Sequence, residues 1–447
     1  MKILKFGGTS VGTAQRMKDV AKLINNGHQD LVVLSAMSGT TNTLVEISDF
    51  LYKKKHEEAN AIIDRLAEKY ACVIDELYTM KEYREQAHEL IHLKMSFLRS
   101  FIKDHFTSLE ERSILAQGEL MSTGMLNLYF HESGVKSVIL PALEYMRTDV
   151  NAEPDTRYIK EKLLGLLEKN QDAMFYLTEG YICLNASGEI DNLQRGGSDY
   201  TASLAGAALN AEEIQIWTDI DGMHNNDPRI VEKTSPVRFL SFDEAAELAY
   251  FGAKILHPTC ILPAKVNNIP VRLLNSLQPE ATGTTILNDL EKDKIKAVAA
   301  KENITAIKIK SGRMLLATGF LRKVFEIFET YHTPIDMVTT SEVGVSLTID
   351  NPKHLDEIVN DLKKYGAVTV DRDMVIICVV GDLKWENIGF AADIVNALKD
   401  IPVRMISFGG SNFNVSLLIR ASDKKRALQA LSEHLFNYEL QNTNYES

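Results

Sequence analysis

The first half of the chain alternates two hydrophobic patterns. Short apolar runs at residues 1–6, 31–35, 138–140, 175–178 and 214–218 read as buried strands. Between them apolar residues recur at helical spacing, as in Val11 to Ile24, which leaves Gly7 to Ser10 as a strand-to-helix turn. Strand and helix in alternation predict an α/β sandwich around a mostly parallel sheet. Residues 43–112 are dominated by helix formers and charges, for example Glu57-Glu58-Ala59-Asn60-Ala61-Ile62-Ile63-Asp64. Charges at that spacing mark solvated helix faces.

The last third repeats itself. Gly319-Phe320-Leu321-Arg322-Lys323-Val324 leads through Pro334-Ile335-Asp336-Met337-Val338 to Val345-Ser346-Leu347-Thr348-Ile349. The same order returns as Gly389-Phe390-Ala391-Ala392-Asp393-Ile394, Pro402-Val403-Arg404-Met405-Ile406 and Val415-Ser416-Leu417-Leu418-Ile419. Each copy reads as helix, strand, turn, strand. With a strand before (residues 304–309 and 374–380) and a helix after, the order is βαββαβ, a ferredoxin-like unit.

Composition narrows the class. A chain of 447 residues implies two or three domains. A formal charge of −12 argues against nucleic-acid binding by a general basic surface. Cys72, Cys183, Cys260 and Cys378 form no Cys-x-x-Cys pair, which suits thiols in a reducing compartment. No apolar run is long enough to span a bilayer and no signal-peptide pattern opens the sequence, so a cytoplasmic enzyme with no membrane partner is expected.

Two glycine turns carry candidate chemistry: Lys5-Phe6-Gly7-Gly8-Thr9-Ser10 and Arg195-Gly196-Gly197-Ser198-Asp199-Tyr200-Thr201-Ala202. Glycines let backbone N–H groups approach an anion, and a helix start adds unpaired donors. Lys5 precedes its glycines, so the Walker-A spacing is absent and the chain is not a P-loop NTPase. His88-Glu89-Leu90-Ile91-His92 matches the His-Glu-x-x-His zinc pattern, but no third ligand follows in a metzincin-like pattern, and two surface histidines are expected instead of a metal site.

These turns occur in order with Val33-Leu34-Ser35-Ala36, Gly118-Glu119-Leu120-Met121-Ser122, Trp217-Thr218-Asp219, Asp227-Pro228-Arg229 and Phe251-Gly252-Ala253-Lys254-Ile255-Leu256-His257-Pro258. Taken together the sequence resembles the aspartate kinases of the amino-acid kinase family over essentially its whole length. The resemblance implies a carbamate kinase-like αβα sandwich over residues 1–295. It also implies two ferredoxin-like ACT domains, which sense amino acids, over 296–447, with copies at about 304–372 and 373–447 and their interleaving left open.

It further implies transfer of the γ-phosphoryl of ATP, with Mg²⁺, to the β-carboxylate of L-aspartate. Lys5, Asp199 and Lys254 would be catalytic. Ser35, Thr41, Glu119, Arg195, Gly196, Gly197 and Ser198 would hold aspartate. Lys5, Gly7, Gly8, Thr218, Asp219, His224, Arg229 and Lys254 would face the nucleotide. An inhibitory amino acid, lysine by resemblance, would meet Met314, Gly319, Phe320, Leu321, Asp336, Ser341, Glu342 and Val343, in a homodimer or a dimer of dimers joined through the ACT domains. Gln194, His224, Leu316 and Ala317 depart from the family pattern, the last two at the sensing site. Another carboxylate-phosphorylating amino-acid kinase, or an inactive amino-acid-sensing protein, are the alternatives.

Overall fold

The computed structural model describes residues 1–447 except 104, 194–195, 253–257, 290, 292–293, 312–317 and 437–447. Its contacts divide into two units, Met1–Met223 with Leu256–Asn288, and His224–Ile255 with Asp289–Ser447.

In the first unit the strands lie in the order Ser137–Ile139, Phe175–Glu179, Leu31–Leu34, Ile3–Phe6, Ile214–Thr218, Val271–Asn275, Thr284–Leu287. Every neighbouring pair is parallel except the last. Strands Ile3–Phe6 and Leu31–Leu34 are buried along their whole length, as a parallel strand covered on both faces must be. One face, with Leu4, Phe6, Val32, Leu34, Leu177 and Trp217, joins the helices Ala14–Ile24, Thr40–Tyr52, His56–Leu77, Lys81–Arg99 and Gln117–Glu132 in one apolar cluster. On the opposite face Gly206, in the helix Gly197–Leu209, lies against Ile214 and Ile3; a Cβ there would stand 2.6 Å from the Ile214 side chain. This is the mixed α/β fold with a mostly parallel sheet that the alternation predicts.

Two local expectations change. The first helix starts at Ala14, not Val11, because the Thr13 side chain caps it by accepting from the Arg16 amide. Gly7 and Gly8 therefore belong to a separate turn, closed by Ser10 N–H donating to the Gly7 carbonyl at 2.9 Å. His88 Nε2 lies 3.2 Å from Asp75 Oδ1 on exposed helix surface. Among the described residues no three His, Cys, Asp or Glu side chains are grouped to hold a metal ion.

The second unit contains a six-stranded antiparallel sheet, ordered Val338–Ser341, Gly344–Ile349, Ile295–Lys310, Ala367–Gly381, Asn414–Arg420, Met405–Ser407. The two long central strands pair along their lengths: residues 304–310 lie beside 367–374, and 295–301 beside 376–381. Each half forms a four-stranded ferredoxin-like sheet. The first copy takes both central strands in sequence order, whereas the second takes its fourth strand from residues 295–301, which precede the first copy. Each half has its own core, around Val324, Phe328, Leu347 and Ile358 in one and Ile377, Ile394, Leu417 and Leu428 in the other.

Candidate active site

Parallel strands end together, so the residues just beyond them are brought to one rim of the sheet. Here those residues are Gly7, Ser35 and Gly180, after Phe6, Leu34 and Glu179. A cavity of about 320 Å³ opens at this rim, lined by Gly8, Ser35, Thr41, Glu119, Tyr181, Gly197 and Ser198 among others.

Strand alternation decides where Lys5 goes. It lies on the face opposite Leu4 and Phe6, the face covered by the helix Gly197–Leu209, and Asp199 sits in that helix's first turn. The ammonium meets Asp199 Oδ1 at 2.7 Å with only 11 % of the Lys5 side chain exposed. An acidic residue is favoured at a helix start, and the pair holds the lysine in one direction. The Gly7 amide is not free for an anion, since it donates to the Trp217 carbonyl at 3.2 Å. A Cβ at Gly7 would lie 3.6 Å from Lys5 Nζ, an ordinary contact, so space alone does not demand glycine there. Gly8 is required by close approach, as a Cβ would come within 2.7 Å of the Ala36 carbonyl.

The opposite wall is polar and tightly fitted. Gly196 and Gly197 have φ of 88° and 47°, the left-handed region that favours glycine, as the chain enters the helix. Ser35 Oγ donates to Ser198 Oγ at 2.8 Å. Gly180 permits that seat, because a Cβ there would fall 2.3 Å from Ser198 Oγ. Glu119 is 4 % exposed. Its Oε1 accepts from the Ala36 amide at 3.1 Å, while the buried Oε2 has no partner. Burial pushes this carboxyl up to about 7. A buried carboxylate oxygen left unpaired at a cavity suits an incoming cation.

Further along, Thr218 Oγ1 accepts from the Ile220 amide at 3.2 Å, Asp219 is exposed, and Asp221 Oδ1 accepts from the Gly283 amide at 2.9 Å. In the second unit His224 Nδ1 lies 2.9 Å from Thr234 Oγ1. Arg229 is held by Asp227 in a two-bond fork of 2.9 and 2.8 Å, although its side chain is 83 % exposed. Of the residues expected at the sensing site, Gly319 (φ 87°) caps the helix Phe320–Thr330, Phe320 is buried and Leu321 partly exposed. Asp336 is buried against Lys301 at 2.6 Å, and Ser341, Glu342 and Val343 stand exposed at a strand turn. Arg195, Lys254 and Met314, with Gln194, Leu316 and Ala317, lie outside the described residues.

The first 275 residues match the model of the amino acid kinase family, and residues 377–435 match that of an ACT domain. Aspartokinase 1 of Arabidopsis thaliana chloroplasts is 33 % identical, over 97 % of this chain and 80 % of that protein. The crystal structure of E. coli aspartokinase III with aspartate and ADP, its R-state, superposes with a TM-score of 0.84 at 31 % identity, covering 98 % of this chain and 100 % of that one. The same enzyme with lysine and aspartate, its T-state, gives 0.80 at 31 % identity, covering 98 % and 99 %. The chain belongs to the aspartokinases.

In this aspartokinase two side chains at the rim escape a motif reading. Tyr181 lines the cavity with a left-handed φ of 69°, its amide donates to Thr201 Oγ1 at 2.9 Å, and burial pushes its hydroxyl up to about 12. Only its position directly after a glycine that ends a strand could have marked it. Ser276 is the second. Its Oγ donates to the Thr218 carbonyl at 2.8 Å, so it must accept from Ser10 Oγ, also 2.8 Å away. Both serines are buried. This relay ties the Lys5–Ser10 turn to Thr218. Ser276→Ala is expected to raise KM for ATP by about fivefold to tenfold, the worth of one buried hydrogen bond, and to leave KM for aspartate unchanged. Steady-state kinetics with each substrate varied in turn would check it; equal changes in both constants would count against the relay.

Proposed function

We propose that this aspartokinase transfers the γ-phosphoryl of ATP, taken as its Mg²⁺ complex, to the β-carboxylate of L-aspartate, giving 4-phospho-L-aspartate, and that lysine inhibits it through the C-terminal repeat. The observation that carries the reading is the pairing, at one rim, of a fixed lysine with a buried carboxylate whose Oε2 is unmatched. E. coli aspartokinase III, so similar in fold, binds aspartate and ADP.

The acceptor carboxylate has a pKa of about 3.9 and is ionised at neutral pH, so no general base is needed. The difficulty is bringing two anions together in line. Lys5 meets the transferring phosphoryl group and spreads its charge, with Asp199 orienting the ammonium. Lys254 neutralises charge from the nucleotide side. Glu119 takes the α-ammonium of aspartate and Arg195 its α-carboxylate, for which a planar bidentate fork is the fitting group. Ser35, Thr41 and Ser198 add hydroxyl contacts beside Gly196 and Gly197. Thr218, Asp219 and His224 face the nucleotide, and Arg229, held by Asp227 through Nε and Nη2, keeps Nη1 for a phosphate. Residues 1–295 form the catalytic part and 296–447 the regulatory part, which joins two chains as a homodimer.

Trapping the acyl phosphate as a hydroxamate tests the reaction. Product is expected with L-aspartate and MgATP and not with L-glutamate, and millimolar lysine is expected to suppress it more than threonine or methionine. Equal turnover of glutamate would overturn the acceptor, and inhibition by threonine alone would overturn the effector. That the pair Lys5–Asp199 is intact favours an active kinase over a purely sensing protein.

A further inference from the structure

One buried ion cluster in the second unit touches Tyr250, the residue directly before the Phe251-Gly252-Ala253-Lys254 run. Asp336, whose side chain is 1 % exposed, accepts at Oδ1 from Tyr250 Oη at 3.0 Å and from Lys301 Nζ at 2.6 Å. Its buried Oδ2 has no partner. Lys301 Nζ also pairs with Asp350 at 2.9 Å and lies 4.3 Å from the centre of the Tyr250 ring. Tyr250 is the last residue of the helix Phe242–Tyr250 and precedes the run directly. Gly252, with φ 121°, packs on the backbone of Ala300, the residue before Lys301; a Cβ there would stand 2.4 Å from the Ala300 carbonyl. The same helix is held from the second copy, where Asn414 donates to the Glu247 carboxylate.

We propose that Tyr250 and Lys301 are positioning residues for Phe251 and Gly252, which lead into Lys254, and that a cationic ligand at Asp336 is felt there because it competes for the bonds that hold them. The inference rests on reading Lys254 as catalytic and Asp336 as the effector carboxylate. Two carboxylates share one ammonium here, leaving the cluster one positive charge short of balance and one buried oxygen unbonded. A further ammonium completes it. To do so the ligand must share Asp336 with Lys301 and Tyr250, which loosens one or both. Neither can move alone: Tyr250 is covalently next to Phe251, and Lys301 is next to the carbonyl on which Gly252 rests. Coupling of this kind is a preference of the ligand for one of two arrangements of a contiguous network, not a signal along a wire.

Hydrogen exchange of the full chain without ligands tests it, read on the peptide covering 251–258. Tyr250→Phe keeps the ring and removes one charge-assisted hydrogen bond, and is expected to speed exchange of that peptide by about tenfold. Lys301→Met should do at least as much and Lys301→Arg should restore protection, while the control Lys353→Met, at an exposed position, should leave it as in the wild type. A general loss of stability would also speed exchange of residues 271–275; the expected change spares them. Unaltered exchange at 251–258 in Tyr250→Phe and Lys301→Met overturns the proposal. Adding lysine to the wild type should also speed exchange at 251–258. If it does not, while Tyr250→Phe does, the effector role of Asp336 is lost and the positioning role stands.

Discussion

Lys5→Ala is expected to lower kcat by about 100-fold to 1000-fold while KM for aspartate changes by less than about threefold. The ammonium is fixed by Asp199 at 2.7 Å on a side chain only 11 % exposed, so it costs little reorganisation when charge builds on the phosphoryl oxygens. Its stabilisation is therefore larger in the transition state than with bound substrates. The α-groups of aspartate are met by other residues, which is why its KM should hold. Asp199→Asn should fall between the two enzymes, because the lysine remains but loses its orienting partner. A kcat near that of the wild type in Lys5→Ala would remove Lys5 from the chemistry.

The second large effect is a pH dependence centred on Glu119. Burial raises this carboxyl from its usual 4.5 to about 7, so near neutrality it is half protonated before substrate arrives. The α-ammonium of aspartate requires the ionised form, and binding below pH 7 must release a proton. KM for aspartate should then rise about tenfold for each pH unit below 7 and level off above it. Glu119→Gln should raise KM by about thirtyfold or more at pH 8, where a charged partner is lost, and flatten the profile. Stability moves the other way. The folded pKa lies above the unfolded one, so the group's favourable contribution is complete below 4.5 and is lost as pH rises through 7. At pH 8 the Gln variant should be the more stable protein by up to about 3 kcal/mol, measured by denaturant unfolding. A profile unchanged by the substitution, with no gain in stability, would place the α-ammonium elsewhere.

The sheet was legible because its central strands are buried on both faces and so spell unbroken apolar runs, as in Leu31–Leu34. Lys5 and Asp199 were legible as types in glycine turns, and alternation along Ile3–Phe6 explains why they meet. Helix starts were less so, since Thr13 competes with Gly7 and Gly8 as a place to begin and only the side-chain bond to Arg16 decides. Ser276 and Tyr181 stand in no pattern; their roles come from backbone carbonyls and a left-handed turn that a linear reading does not reveal. Lys301 and Asp336 are 35 residues apart in sequence, with nothing local to suggest that they share a proton-rich pocket with Tyr250.

The borrowed strand at residues 295–301 has a cost in time during synthesis. Ala297 pairs with Val380, so the strand leaves the ribosome roughly eighty residues before its partner exists, which at about 5–20 residues per second is several seconds. Through that interval an apolar segment, Ala297-Val298-Ala299-Ala300, has no strand partner, and the first copy can close around residues 304–374 while the second cannot. A ribosome that stops between the copies would release a chain with an unpaired strand edge, the feature that most readily recruits another chain. The two repeats thus share a pattern but not a manufacture: the first is complete in sequence order, whereas the second cannot be expressed by itself without the residues that precede the first.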